Sequence, residues 1–157
     1  MEEFEAYIEM IALSDMKYVF DENQGKLVFH RKLPWILPAP FNYGFIKNTR
    51  SGDGDPLDVF VISNSKITLG STLKVKPIGV LYVVDEVGID NKIVAVNPED
   101  ESVRGIQDIS ELGEKKLNEL KNILEGNKRN IPGKWTRVEG TAGKGKAMEE
   151  IKKTFNH

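Results

Sequence analysis

The sequence predicts a mainly β protein with flanking helices, an α+β fold in which short strands form a small barrel. Three observations predict it. Short β-rich runs fill most of the chain, the two helical patterns come late, and strands and helices do not alternate in the βα order of a parallel sheet. With 157 residues, 39% apolar and 29% charged, the chain can bury one sizeable core without disulfides, and we expect a single domain over residues 1–157. It contains no repeat, low-complexity tract or linker.

From Phe4 to Met10 the apolar residues Phe4, Ala6, Ile8 and Met10 alternate with Glu5, Tyr7 and Glu9, the period of a half-buried strand with Glu9 on its polar face. Lys17 to Asp21 and Lys26 to His30 flank Glu22-Asn23-Gln24-Gly25, which predicts a hairpin whose glycine takes positive φ, with Lys17 and Arg31 at its open end. Three prolines between Pro34 and Gly44 oppose both helix and central strand, so this stretch is expected to be an ordered loop carrying Tyr43, either core aromatic or ligand contact. Val59 to Ile62 is an apolar run suited to a buried strand. Thr72 to Lys76, Ile78 to Val84 and Lys92 to Val96 follow as short strands, the first two separated by Pro77. Asp108 or Ser110 can cap a helix with Leu112, Leu117, Leu120 and Leu124 on one stripe, ending at Gly126. A strand from Trp135 to Glu139 precedes a last amphipathic helix marked by Met148, Ile151 and Phe155.

The chemistry concentrates in Ser51-Gly-Asp-Gly-Asp-Pro-Leu-Asp58, which places Asp53, Asp55 and Asp58 in one tight turn at the mouth of a strand. Carboxylates crowded in this way raise one another's pKa or take up a cation, and hard oxygen ligands suit Mg²⁺, Mn²⁺ or Ca²⁺. A solvated acidic turn is the plainer explanation of the same residues. An EF-hand loop is excluded, because counting from Asp53 puts Leu57, Asp58 and Asn64 at its fifth, sixth and twelfth positions. A second acidic turn, Asp85 to Asn91, joins the first if their strands are neighbours; an acid-decorated hairpin explains it equally well.

Other classes lose support. The net charge of −2 gives no basic field for nucleic acid. The absence of cysteine removes thiolate metal sites, Cys nucleophiles and disulfides, and His30 and His157 are the only histidines. His30 is expected to be structural or exposed. Met-Glu-Glu-Phe-Glu lacks the basic start of a signal peptide and no apolar run has the length of a membrane span, so we expect a cytoplasmic protein without membrane contact. Gly140-Thr-Ala-Gly-Lys-Gly-Lys-Ala147 nearly matches a phosphate-cradling loop, but Ala147 stands where a hydroxyl residue belongs, and a basic lead-in to the last helix is preferred. Several carboxylates for metal, together with Lys17, Arg31, Lys92 and Lys128, suit a metal-bridged phosphate substrate.

Asp53-Gly54-Asp55-Pro56-Leu57-Asp58-Val59 resembles the signature of the soluble family I inorganic pyrophosphatases. The resemblance extends through Lys17-Tyr18, Arg31, Asn42-Tyr43-Gly44, Pro77-Ile78-Gly79, Asp85-Glu86, Asp90 with Lys92, and Gly133-Lys134-Trp135. It implies an OB-like five-stranded barrel with two α-helices and Mg²⁺-dependent hydrolysis of pyrophosphate to two phosphates, Mn²⁺ or another divalent cation being an alternative. By the same resemblance Asp53, Asp58, Asp85 and Asp90 coordinate metal, and Glu9, whose alignment needs a one-residue gap, reaches it through water. Asp55 is the general base toward a metal-activated water, and Lys17, Arg31, Tyr43, Lys92 and Lys128 hold the phosphates. A homo-oligomer, a hexamer as in bacterial members, is also implied. Val19, Ala39 and Asn127 stand where the family usually has Glu, Tyr and Tyr, which leads us to expect an active enzyme with altered affinity or metal preference. Hydrolysis of triphosphate or a nucleotide, and an OB-type module for single-stranded nucleic acid, are the alternatives.

Overall fold

The computed structural model describes residues 2–155; Met1, Asn156 and His157 lie outside them. Its strands are β1 (Phe4–Met10), β2 (Met16–Asp21), β3 (Lys26–Lys32), β4 (Phe41–Ile46), β5 (Asp58–Ile62), β6 (Thr72–Asp85), β7 (Lys92–Val96) and β8 (Thr136–Gly143). Its α-helices are α1 (Glu114–Gly126) and α2 (Lys144–Thr154). The main sheet runs β1-β4-β5-β7-β6-β8, and β1 also pairs with β6. That extra pairing closes β1, β4, β5, β7 and β6 into the expected five-stranded barrel, OB-like, with no free edge among the five.

The fourteen-residue β6 makes closure possible by serving three partners in turn. Thr72 to Val75 pair with β1, Lys76 to Leu81 with β7, and Gly79 to Asp85 with β8. Pro77 was expected to separate two strands, but β6 runs through it. The missing N–H is absorbed by a register shift between Pro77 and Gly79, the usual way a sheet tolerates proline.

Strands β5 and β7 are parallel neighbours, Val59 beside Ile93 and Ile62 beside Val96, and both are buried on two faces. Val59, Val61, Ile93 and Ala95 pack with Ala147 and Ile151 of α2, whereas Phe60, Ile62, Val94 and Val96 pack with Leu120 and Leu124 of α1. Two covered faces explain why these strands read as continuous apolar runs. Gly44 is required where β4 crosses β1, since a Cβ there would lie 1.8 Å from the Tyr7 carbonyl oxygen.

Four local expectations change. Phe41 to Gly44 belong to β4, because Phe41 to Phe45 pair with β5 once the chain has passed Pro40. The first predicted helix is split: a 3-10 helix, Ile109–Leu112, ends at Gly113 with φ 84, and α1 begins beyond it. The strand expected to end at Glu139 continues to Gly143, because β8 pairs with β6 over that length. Phe155 follows α2 and packs against Phe4 with the rings tilted by 40°, centroids 5.6 Å apart. The β2–β3 hairpin forms as predicted, with Gly25 at φ 66 and Lys17 paired with Arg31. His30 on it is exposed. No helix among the described residues is long and apolar enough to cross a membrane.

Candidate active site

Barrel topology gathers residues that are distant in sequence. The parallel pairing sets Asp58, the first residue of β5, beside Lys92, the first of β7. Tyr43 comes from β4, opposite Phe60. Glu9 is the extra residue of an irregularity between Ile8 and Met10 in β1, and such a bulge re-aims a side chain. Lys17 arrives from β2, and the turn before β5 supplies Asp53 and Asp55. All seven line one cavity of about 540 Å³, within the size range of small-ligand sites.

Lys92 holds the centre. Its ammonium donates to Asp58 Oδ2 at 2.5 Å and Asp90 Oδ2 at 3.0 Å, with 7% of its side chain exposed. Burial disfavours its charge, but Asp58 and the neighbouring groups outweigh burial and hold the ammonium well above its ordinary pKa. The Tyr43 ring lies 5.8 Å from the same ammonium, and burial, then the Asp58 charge, push the phenol well up. Asp90 is raised by burial despite Lys92. Glu9 accepts the Phe20 N–H at 2.9 Å and is pushed up to about 7, chiefly by burial. Asp55 is raised by burial and then by Asp53 and Asp58. Lys17 is lowered by burial and then by Arg31.

The remaining predicted residues are placed differently. Asp85, at the end of β6, and Glu86 both bind the Lys128 ammonium, at 3.2 Å and 3.1 Å. Neither Asp85 nor Lys128 is among the residues lining the cavity. The acidic turn after β6 is thus divided: Asp90 enters the cavity, while Asp85 faces Lys128. Arg31 also stands outside the lining, but its guanidinium donates to Asn127, which lines the cavity, at 3.5 Å. The amide at Asn127 therefore orients Arg31 where a phenol was expected. Val19 lines the cavity and Ala39 does not.

Arg50 and Glu22 also line the cavity. Sequence reading missed them, since 28 positions separate them and neither belongs to a recognisable motif.

Among the described residues no three carboxylates stand close enough to enclose a cation as they are, and the Lys92 ammonium fills the space between Asp58 and Asp90. The donor chemistry nevertheless fits a hard divalent cation. Six carboxylates, those of Glu9, Glu22, Asp53, Asp55, Asp58 and Asp90, face three cations, Lys17, Arg50 and Lys92. Burial raises Glu9, Asp55 and Asp90, and neighbouring carboxylates add to the shift of each.

The Gly140–Ala147 segment is not an anion cradle. Gly140 and Gly143 belong to β8, Gly145 lies in α2, and the Lys144 N–H at the start of α2 already donates to the Asp108 carboxylate at 3.0 Å.

The barrel is of the OB-like class, and its carboxylate-rich cavity is a site for a small ligand. The family model described as inorganic pyrophosphatase matches residues 6–157. Inorganic pyrophosphatases of Nanoarchaeum equitans and Saccharolobus solfataricus are 44% and 38% identical, over 94% and 98% of this chain and 92% and 91% of theirs. The solved inorganic pyrophosphatase of Helicobacter pylori superposes with a TM-score of 0.91 at 34% identity, covering 98% of this chain and 91% of that one. The chain belongs to the inorganic pyrophosphatase family.

Proposed function

We infer that this protein hydrolyses inorganic pyrophosphate to two orthophosphates with Mg²⁺ as cofactor, Mn²⁺ or another divalent cation being able to replace it. The convergence of Asp53, Asp55, Asp58 and Asp90 with Lys17, Lys92 and Tyr43 on one cavity carries the reading. Asp53, Asp58 and Asp90 would hold the metal directly and Glu9 through water. Asp85 keeps that role by family resemblance, which requires its pair with Lys128 to open. When bound, the cation neutralises phosphate charge and makes water near it more acidic.

The protein's part is to align the reactants, neutralise charge and remove a proton. Asp55 takes the proton of the attacking water as the water oxygen bonds to one phosphorus and the bridging P–O bond breaks. Without metal, burial and then Asp53 and Asp58 raise its pKa, the direction that strengthens a base. Lys92 and Tyr43 bind phosphate oxygens from the back of the cavity and Lys17 from the hairpin side. Arg31, steered by Asn127, and Lys128 complete the phosphate contacts. The leaving phosphate departs with the bridging oxygen and its electron pair.

Phosphate release from pyrophosphate, ATP and tripolyphosphate, with and without Mg²⁺, tests the assignment for wild type and Asp55→Asn. Fast release from Mg-pyrophosphate alone, reduced roughly 10²–10⁴-fold in the variant, is expected. Equal release from ATP or tripolyphosphate would transfer the assignment to a broader phosphoanhydride hydrolase. No release from any of them would leave a non-catalytic module. The acidic excess in the cavity opposes nucleic acid as its ligand. One domain over residues 1–157, a homo-oligomer, hexameric by family resemblance, and a cytoplasmic location complete the proposal.

A further inference from the structure

We propose that Arg50 is a positioning residue for this reaction, joining the tip of the β2–β3 hairpin to the aspartate turn at the cavity and so fixing where Asp55 stands. The assignment rests on reading Asp55 as the base. The Arg50 Nη1 donates to Gly54 O at 2.9 Å and to Glu22 Oε1 at 3.2 Å. Its own backbone is anchored: the Arg50 N–H donates to Thr154 O at the end of α2, at 2.7 Å. The preceding Thr49 hydroxyl donates to Ile46 O at 2.6 Å and accepts the Leu57 N–H at 2.9 Å. The guanidinium therefore reaches outward from a fixed stem.

The aspartate turn needs such a tie. Its internal bonds, Ser51 N–H to Asp55 O, Gly54 N–H to Ser51 O and Asp55 N–H to Asp53 Oδ1, hold its shape. They do not fix the orientation of the turn relative to the hairpin. Gly54 sits at φ 87, and its carbonyl belongs to the peptide unit that carries the Asp55 N–H. Holding that oxygen orients the peptide from which Asp55 projects. Arg50 and Glu22 side chains are 45% and 59% exposed, and ion pairs so exposed add little to stability. The contact acts on placement, and small displacements of a reacting group have large effects on rate.

Steady-state phosphate release from pyrophosphate with saturating Mg²⁺ tests this on the full chain. Wild type, Arg50→Met, Arg50→Lys, Glu22→Ala and the Glu22→Ala/Arg50→Met double variant are compared, with thermal unfolding of each. Arg50→Met is expected to lower kcat about 10-fold with KM within about 2-fold and Tm nearly unchanged. Glu22→Ala lowers kcat by about 3-fold. The double variant is no worse than Arg50→Met alone, because both substitutions break one contact. Arg50→Lys restores part of the rate by again donating to Gly54 O.

A raised KM at constant kcat overturns the assignment, because Arg50 then contacts substrate. Additive losses, or a faster Arg50→Met, overturn it too, the second pointing to a through-space charge effect on Asp55, whose pKa the Arg50 charge lowers. An active wild type with an unchanged Arg50→Met refutes positioning alone. An inactive wild type removes the pyrophosphate reading and this assignment with it. Should Arg50→Met not fold, Glu22→Ala on the exposed hairpin tip decides the question by the same kcat criterion.

Discussion

Replacing Lys92 by Met tests the charge balance at the centre of the cavity. The substitution keeps most of the side-chain volume and removes the ammonium that Asp58 and Asp90 share, at 2.5 Å and 3.0 Å. Removing one partner of a fully buried ion pair costs about 3–5 kcal/mol. Here the lysine is 7% exposed but the two carboxylates are 27% and 28% exposed. Both recover some hydration, so the expected loss is about 2–3 kcal/mol. For a chain of this length that is roughly 5–10 °C in Tm, readable by calorimetry in metal-free buffer. Millimolar Mg²⁺ should then raise the Tm of Lys92→Met more than that of wild type, because a cation can occupy the vacated place between the carboxylates. A variant as stable as wild type without metal, or one that gains no more from Mg²⁺ than wild type, would refute the idea that Lys92 balances Asp58 and Asp90.

Further expectations concern the scaffold. Asp100 is held down to about 2 by the Ser102 hydroxyl and by the N–H groups of Ser102, Asn64 and Ser65. Its folded pKa lies below the ordinary 3.8, so its contribution is present above that value and is lost as pH falls through about 2. Asp100→Asn should therefore destabilise by about 2 kcal/mol at pH 7 and by progressively less below pH 4 in urea titrations; an equal loss at pH 7 and pH 2 would contradict the linkage. Gly143→Ala would place a Cβ 2.5 Å from Asp108 Oδ1, displacing the carboxylate that caps both α2 and the 3-10 helix. A loss of about 1–2 kcal/mol, not additive with that of Asp108→Ala, is expected in denaturant unfolding, and full additivity would show that the two residues act separately.

Much of the site was legible in the sequence because its signals are local. Three aspartates around two glycines and a proline mark the turn wherever it is placed. Val59 to Ile62 and Lys92 to Val96 read as buried strands because both faces of each are covered. Glu9 is legible as a polar-face residue from its period, but the bulge that turns it into the cavity depends on pairing with β4. Pro77 misleads for the same reason. Its local effect is to break a strand, and a register shift against β7 absorbs that effect.

Sequence by itself determined the fold class, the acidic turn, the hairpin and the family, because periodicity, turn chemistry and motif spacing are properties of neighbouring residues. Tertiary structure alone decided that β1 closes on β6, that Lys92 lies between Asp58 and Asp90 while Lys128 takes Asp85, and that Arg50 reaches Glu22. Those contacts join residues up to 71 positions apart, as Phe4 joins Val75 in the barrel seam. Which distant groups meet is set by strand order and register, and these are fixed only when the whole core packs at once.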